Sequence, residues 1–167
     1  MIKSLVAAAA MLALGTVSAT AGPGDDPSSS VKAETVAAAI AQLGYATSMH
    51  KDAKGDPHIV VTDKPGNVAK MAVFFADCGS WGCEDLTFYA GYTPTKKATT
   101  AKMNEWNHIT SNLRSRASIS GDGDKPSGEP GIAMTVSLMT DADADKLAIL
   151  AGVFVVESQM FADTLAK

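Results

Sequence analysis

The chain has 167 residues, with 14 Lys and Arg against 18 Asp and Glu, and a net charge of −4. Binding to a nucleic-acid backbone needs clustered bases that displace counterions, and no basic stripe interrupts this acidic balance. The densest basic pairs, Lys96-Lys97 and Arg114 with Arg116, fit the solvated ends of one helix, so nucleic acid is set aside as a partner.

Residues 1-21 read as a cleavable signal peptide. Lys3 supplies a short basic lead, Leu5 to Leu14 is an unbroken apolar run too short to span a bilayer, and Ala19-Thr20-Ala21 places small residues where a signal peptidase cuts. Lys3 is the only charged residue removed, so the exported form keeps all 18 acids. Residues 22-30 are Gly, Pro, Asp and Ser without apolar periodicity, a flexible leader. Residues 31-167 then suit one domain with a single core, in a periplasmic or secreted protein.

In chain order, Val36, Ile40 and Leu43 recur at helical spacing and Gly44 stands where a left-handed cap ends a helix. Tyr45 to His50 and His58 to Asp63 predict two strands joined by the turn at Asp52 to Asp56. After a turn at Lys64 to Asn67, Val68 to Ala76 predicts a central strand, apolar at Met71, Val73, Phe74 and Phe75. Beyond the Cys78 to Cys83 loop, Leu86, Phe88, Ala90 and Tyr92 alternate with Thr87, Tyr89 and Gly91, a strand with one buried face. A second helix of about five turns is expected from Thr95, burying Met103, Trp106, Ile109, Thr110 and Leu113.

Ala117 to Gly121 and Ile132 to Met139 predict two more strands, separated by an exposed Gly, Asp and Pro loop from Gly121 to Gly131. The last helix is expected from Asp141, with Thr140 as its cap and Thr140/Asp143 in capping-box spacing. Leu147, Leu150, Phe154, Phe161 and Leu165 form one apolar stripe of that helix. Ile149, Val153, Val156 and Met160 form a second, to be covered by the first helix or by the same helix of a second copy. The run Leu147 to Val156 is too short to cross a membrane, and no span is expected in the mature form. The whole is an α+β domain, three helices on an antiparallel sheet of about six strands in the order α-β-β-β-β-α-β-β-α.

The residues able to carry chemistry are few. Cys78 and Cys83 are the only cysteines, and in an oxidising compartment they read as a disulfide that closes a short loop and contributes about 2 kcal/mol. A redox role is the sharper alternative, although the spacing is Cys-x4-Cys without a thioredoxin-like pattern around it. No second Cys/His pair completes a zinc site, no phosphate-binding glycine loop occurs, and the Asp141, Asp143, Asp145 series lacks the glycine and glutamate of a calcium loop. No cofactor or metal is therefore expected. His50 and His58 are expected to face each other across a hairpin as strand residues rather than as an acid/base or metal pair. The remaining candidates for binding or for fixing the fold are Trp81 in the cysteine loop, Asn104, Trp106 and Asn107 on the second helix, and Arg114 and Arg116. Trp106 belongs to the buried face, with Asn104 and Asn107 able to bond neighbouring backbone.

Three segments in order carry a resemblance to a known family. Leu43-Gly44-Tyr45, then Cys78 and Cys83 leading into Leu86-Thr87-Phe88-Tyr89-Ala90-Gly91-Tyr92, then Met103-Asn104-Glu105-Trp106-Asn107 with Arg114-Ser115-Arg116-Ala117 resemble the YbjN family over essentially the whole mature chain. Members are described as candidate sensory transduction regulators, with a fold similar to type III secretion chaperones. The resemblance implies a protein-binding or regulatory module without catalytic residues. The signal peptide, the cysteine pair and the Gly121 to Gly131 loop depart from the cytoplasmic members.

Two functions follow from different classes. The first is a non-catalytic periplasmic module that binds another protein or peptide, chaperone-like or regulatory, with a possible homodimer through the last helix. The alternative is a small envelope enzyme or thiol-redox protein using Cys78/Cys83 or His50/His58. The signal-peptide reading makes a direct prediction: protein recovered from the periplasm should have the intact mass of a chain starting at Gly22. A mass that includes Met1 to Ala21 would contradict it.

Overall fold

The computed structural model describes residues 30–109, 113–120, 128–138 and 143–167. The signal peptide, the cleavage site and all of the leader but Ser30 lie outside these residues, as do Thr110, residues 121–127, Thr140 and Asp141.

The elements run α1 (Ala33–Gln42), β1 (Thr47–Lys51), β2 (Pro57–Val61), β3 (Lys70–Cys78), β4 (Cys83–Gly91), α2 (Thr100–Ile109), β5 (Arg116–Ile119), β6 (Pro130–Ser137) and α3 (Ala144–Ala166). The strands form one antiparallel sheet in the order β1-β2-β3-β4-β6-β5. This is the expected α+β architecture, with β3 and β4 at the centre.

The registers assign each strand residue to a face. Ile59, Val73, Phe88 and Met134 lie in one row across β2, β3, β4 and β6, and all four are buried. Successive side chains alternate, so Val61, Met71, Phe75, Leu86, Ala90 and Ile132 join that face. The helices cover it. Phe88 meets Phe154 of α3 at 5.7 Å between ring centroids, and Phe161 receives Tyr92 and Trp106 edge-on at 5.2 and 5.0 Å. Burying each such side chain is worth about 1.5–3 kcal/mol. Tyr92 donates its hydroxyl to the Ser158 carbonyl at 2.6 Å, and burial pushes its phenol far above the ordinary range.

Several boundaries differ from the sequence expectation. α1 ends as expected, with Gly44 at φ +85 beyond Leu43. The second helix starts at Thr100, not Thr95, because Thr95 folds its hydroxyl onto the Lys97 N–H and Thr99 takes the Lys102 N–H as the true first-turn partner. It is described over the ten residues Thr100–Ile109, and Leu113, half-buried, is not helical. Arg116 belongs to β5 and does not mark a helix end. Pro130 and Gly131 open β6 and are buried, which shortens the expected 121–131 loop, and Ser120 and Glu129 hydrogen-bond each other across its base. α3 begins at Ala144 with Asp143 as its cap: the carboxylate accepts the Lys146 N–H at 2.8 Å, and that bond holds the carboxyl below its usual range.

α3 is 23 residues long and, by length and composition alone, apolar enough to cross a membrane. Its Leu147, Phe154 and Phe161 stripe is nevertheless buried in the core, so the helix serves the sheet. α1 packs on its flank, where Ile40 and Leu43 share a small cavity with Ala151, Phe154 and Val155. Of the second stripe, Val153 is half-buried, while the described residues leave Ile149 68%, Val156 55% and Met160 46% exposed. The first helix, one of the two covers expected for the stripe, does not cover these three.

Two local devices hold the ends of the sheet. The Cys78–Cys83 disulfide closes the β3-β4 hairpin, and Val31 exchanges both backbone hydrogen bonds with Cys83 at 3.0 and 2.9 Å. Gly82 is required there, since a Cβ on it would lie 2.4 Å from the Val31 carbonyl oxygen. At the other end, Glu157 of α3 is 2% exposed and accepts the backbone N–H groups of Arg114 and Ser115 at 3.0 and 2.8 Å. It ties the chain just before β5 to the core. Removing the carboxylate strands two amide donors, each costing about 1–3 kcal/mol when unsatisfied. Glu157→Ala should therefore lower unfolding free energy by about 3 kcal/mol in urea titration. Glu157→Gln, which keeps one acceptor oxygen, should recover part of the loss; equal stability of Glu157→Ala and the parent would refute the tie.

Candidate functional site

The face of the sheet opposite the helices has no element over it among the described residues. Alternation that buries Val73 and Phe75 must turn Phe74 outward, and Phe74 is 46% exposed. The register then sets His50, His58 and Phe74 in one row across β1, β2 and β3. Their rings stack at 5.3 and 6.0 Å between centroids, and Tyr89 of β4 continues the row diagonally at 6.3 Å from Phe74. Four rings thus cross four strands. The inner His58 has its Nδ1 buried without a hydrogen-bond partner, while His50 Nε2 meets Ser48 Oγ at 3.0 Å.

Tyr89 lies over glycines. A Cβ on Gly131 would come 3.0 Å from its ring, and one on Gly91 would meet Glu129, Lys70 and the Tyr89 hydroxyl within 2.9 Å. The Lys70 ammonium pairs with Glu129 at 2.8 Å and stands 5.7 Å from the Tyr89 ring centroid. The bond to Glu129 raises the Lys70 pKa, and partial burial raises that of Tyr89. Val60, Ala72 and Ala133 form a low apolar strip beside the rings, and Thr87 and Thr135 share a hydroxyl contact at 3.1 Å. Among the described residues, the charged side chains on this face are Lys70, Glu129, Asp85 and Arg116, two of each sign.

The residues singled out in the sequence do not assemble into one site. His50 and His58 do face each other, as expected of the hairpin. Trp81 is 53% exposed at the tip of the disulfide hairpin, while Trp106 is buried against Phe161 and Asn104 is exposed on α2. Asn107 accepts the Ala117 N–H at 2.7 Å and donates to the Ala117 carbonyl at 2.9 Å. It occupies the outer edge of β5 as a neighbouring strand would, which blunts that edge. Arg114 is exposed and Arg116 turns its guanidinium back to the carbonyls of Leu113 and Ser115. The sequence pattern marks Phe74 and Tyr89 only as strand residues, yet Phe74 contacts both His58 and Tyr89 within the row. The period-two pattern held the signal, because a ring between two buried neighbours points to the other face.

Three helices on one side of an antiparallel sheet, with an aromatic row on the other, define a one-sided α+β sheet module. Among solved structures, the crystal structure of YbjN from E. coli, described as a candidate transcription regulator, aligns with 79% of this chain and 87% of that chain. The TM-score is 0.50 and the identity 15%, so the likeness establishes a YbjN-like fold. No family model and no curated protein matches the chain.

The row makes no packing contribution to the helix face, which separates it energetically from its neighbours. Phe74→Ser should change unfolding free energy by less than about 1 kcal/mol, whereas Phe88→Ser should cost about 3 kcal/mol or more. Equal losses in the two variants would show that the open face is part of the core.

Proposed function

We propose that this is a non-catalytic, exported binding module, regulatory or chaperone-like, that takes up a segment of another protein on its open sheet face. The observation that carries the reading is the unbroken row His50, His58, Phe74 and Tyr89 on a face that no described element covers. Exposed aromatic surface of this extent is a cost to an isolated protein and a gain to one that binds apolar side chains. The balanced charge of the face favours a neutral peptide over a phosphate backbone, which would need surrounding bases. Strand β1 lies at the open edge beside the row, while Asn107 closes the opposite edge at β5. The disulfide suits an oxidising compartment. The thiol-redox alternative is less well served by the same bond, because Cys83 is 3% exposed.

A displayed library of random peptides selected on the exported protein tests the reading. Selected peptides should carry aromatic or aliphatic anchors, should shift the ring resonances of His58, Phe74 and Tyr89, and should lose at least tenfold in affinity to Phe74→Asp, about 1.4 kcal/mol. Peptides that bind the Phe74→Asp variant as well as the parent would overturn the assignment of this face.

A further inference from the structure

The second stripe of α3 lies on the opposite side of the molecule from the aromatic row. Ile149, Val153, Val156 and Met160 are spaced by four, three and four residues. At about 100° of rotation per residue they fall within an arc of about 60°, nearly opposite the buried Leu147, Phe154 and Phe161. That spacing is the a/d seam of a coiled coil, and a monomer has no use for it. Continuing the seam outward one step at each end reaches Lys146 and Asp163. Both are exposed, and Lys146 also lies 3.4 Å from the Asp143 carboxylate one turn earlier.

We infer that this stripe is the seam of a homodimer in which two copies of α3 pack antiparallel. The charges at its ends decide the direction. About a two-fold axis between Phe154 and Val155, Ile149 meets Met160 of the second copy and Val153 meets Val156 of the second copy. Lys146 then faces Asp163 of the second copy at both ends. A parallel pairing would set Lys146 against Lys146 and Asp163 against Asp163, which repels. A lipid surface is a poorer occupant, because the exposed Asp145 and Asp163 on the same helix, and the net charge of −4, oppose anionic headgroups. The leader could not cover the stripe either, since residues 22-30 contain no apolar side chain larger than proline. In this dimer the sheets lie outermost, with their aromatic rows facing away from each other. The pairing rests on α3 alone and holds whether or not the open face binds a peptide.

Sedimentation equilibrium of the protein as the cell processes it, from about 1 µM to 1 mM, should show a reversible dimer. Ile149→Asp with Val156→Asp should give a monomer with the parent's circular dichroism, and with its melting temperature at concentrations too low for the parent to associate, because both side chains are more than half exposed in the single chain. Lys146→Asp alone should weaken association roughly tenfold, and Lys146→Asp with Asp163→Lys should restore it. A parent that stays monomeric across the range overturns the proposal. So does an Ile149→Asp, Val156→Asp variant that still dimerises. Failure of the double charge exchange to rescue would overturn the antiparallel direction, and binding to phosphatidylglycerol vesicles that the Asp variants abolish, without a dimer, would assign the stripe to a membrane instead.

Discussion

Burial of one face of β3 and β4 beneath α3 is the constraint from which the rest of the molecule follows. Once Phe88 is pressed on Phe154, and Tyr92 on Phe161, every second residue of the central strands is committed to the helix side. The residues between them have no choice but the other side. A sheet of six strands offers two faces, and three helices gathered on one of them leave the second without cover among the described residues. Phe74 and Tyr89 are exposed or half-exposed for this reason, and not because their local sequence is polar.

The polar ties follow the same geometry. Glu157 is buried because α3 lies flat on the sheet, and it remains a good partner because two backbone donors before β5 point at it. Asn107 does the corresponding work at the sheet edge, where a strand would otherwise be needed. Gly82 and the disulfide let Val31 reach β4 closely enough to exchange backbone bonds. Each device fixes a place where the chain passes between layers. None lies in the aromatic row, so the open face is mechanically supported from behind and chemically separate from what holds the fold.

The face proposed to bind a partner and the stripe proposed for self-association lie on opposite sides of one layer pair. The sheet presents rings to one side and α3 presents an aliphatic seam to the other. The two surfaces differ in chemistry. Rings on a flat sheet accept side chains of many shapes, whereas a/d positions on a helix demand another helix at defined register.

Much of this architecture was legible from the chain alone. Alternation at Leu86, Phe88, Ala90 and Tyr92 gave the buried face of β4, Gly44 marked the end of α1, and the only two cysteines gave the staple. Helical spacing also separated the two stripes of α3. Local rules failed where two capping side chains competed for one helix start, Thr95 with Thr99 and Thr140 with Asp143, since each suits the role by residue type alone. They failed again at Pro130 and Gly131, which look like loop until β4 and the Tyr89 ring lie beside them. Periodicity settles which residues share a side, because it is a property of the backbone. Which side is then covered depends on where three distant helices dock, and that is decided by contacts between residues far apart in the chain. The row from His50 to Tyr89 joins four strands that are neighbours only in the folded sheet, and so only the tertiary structure could assemble it.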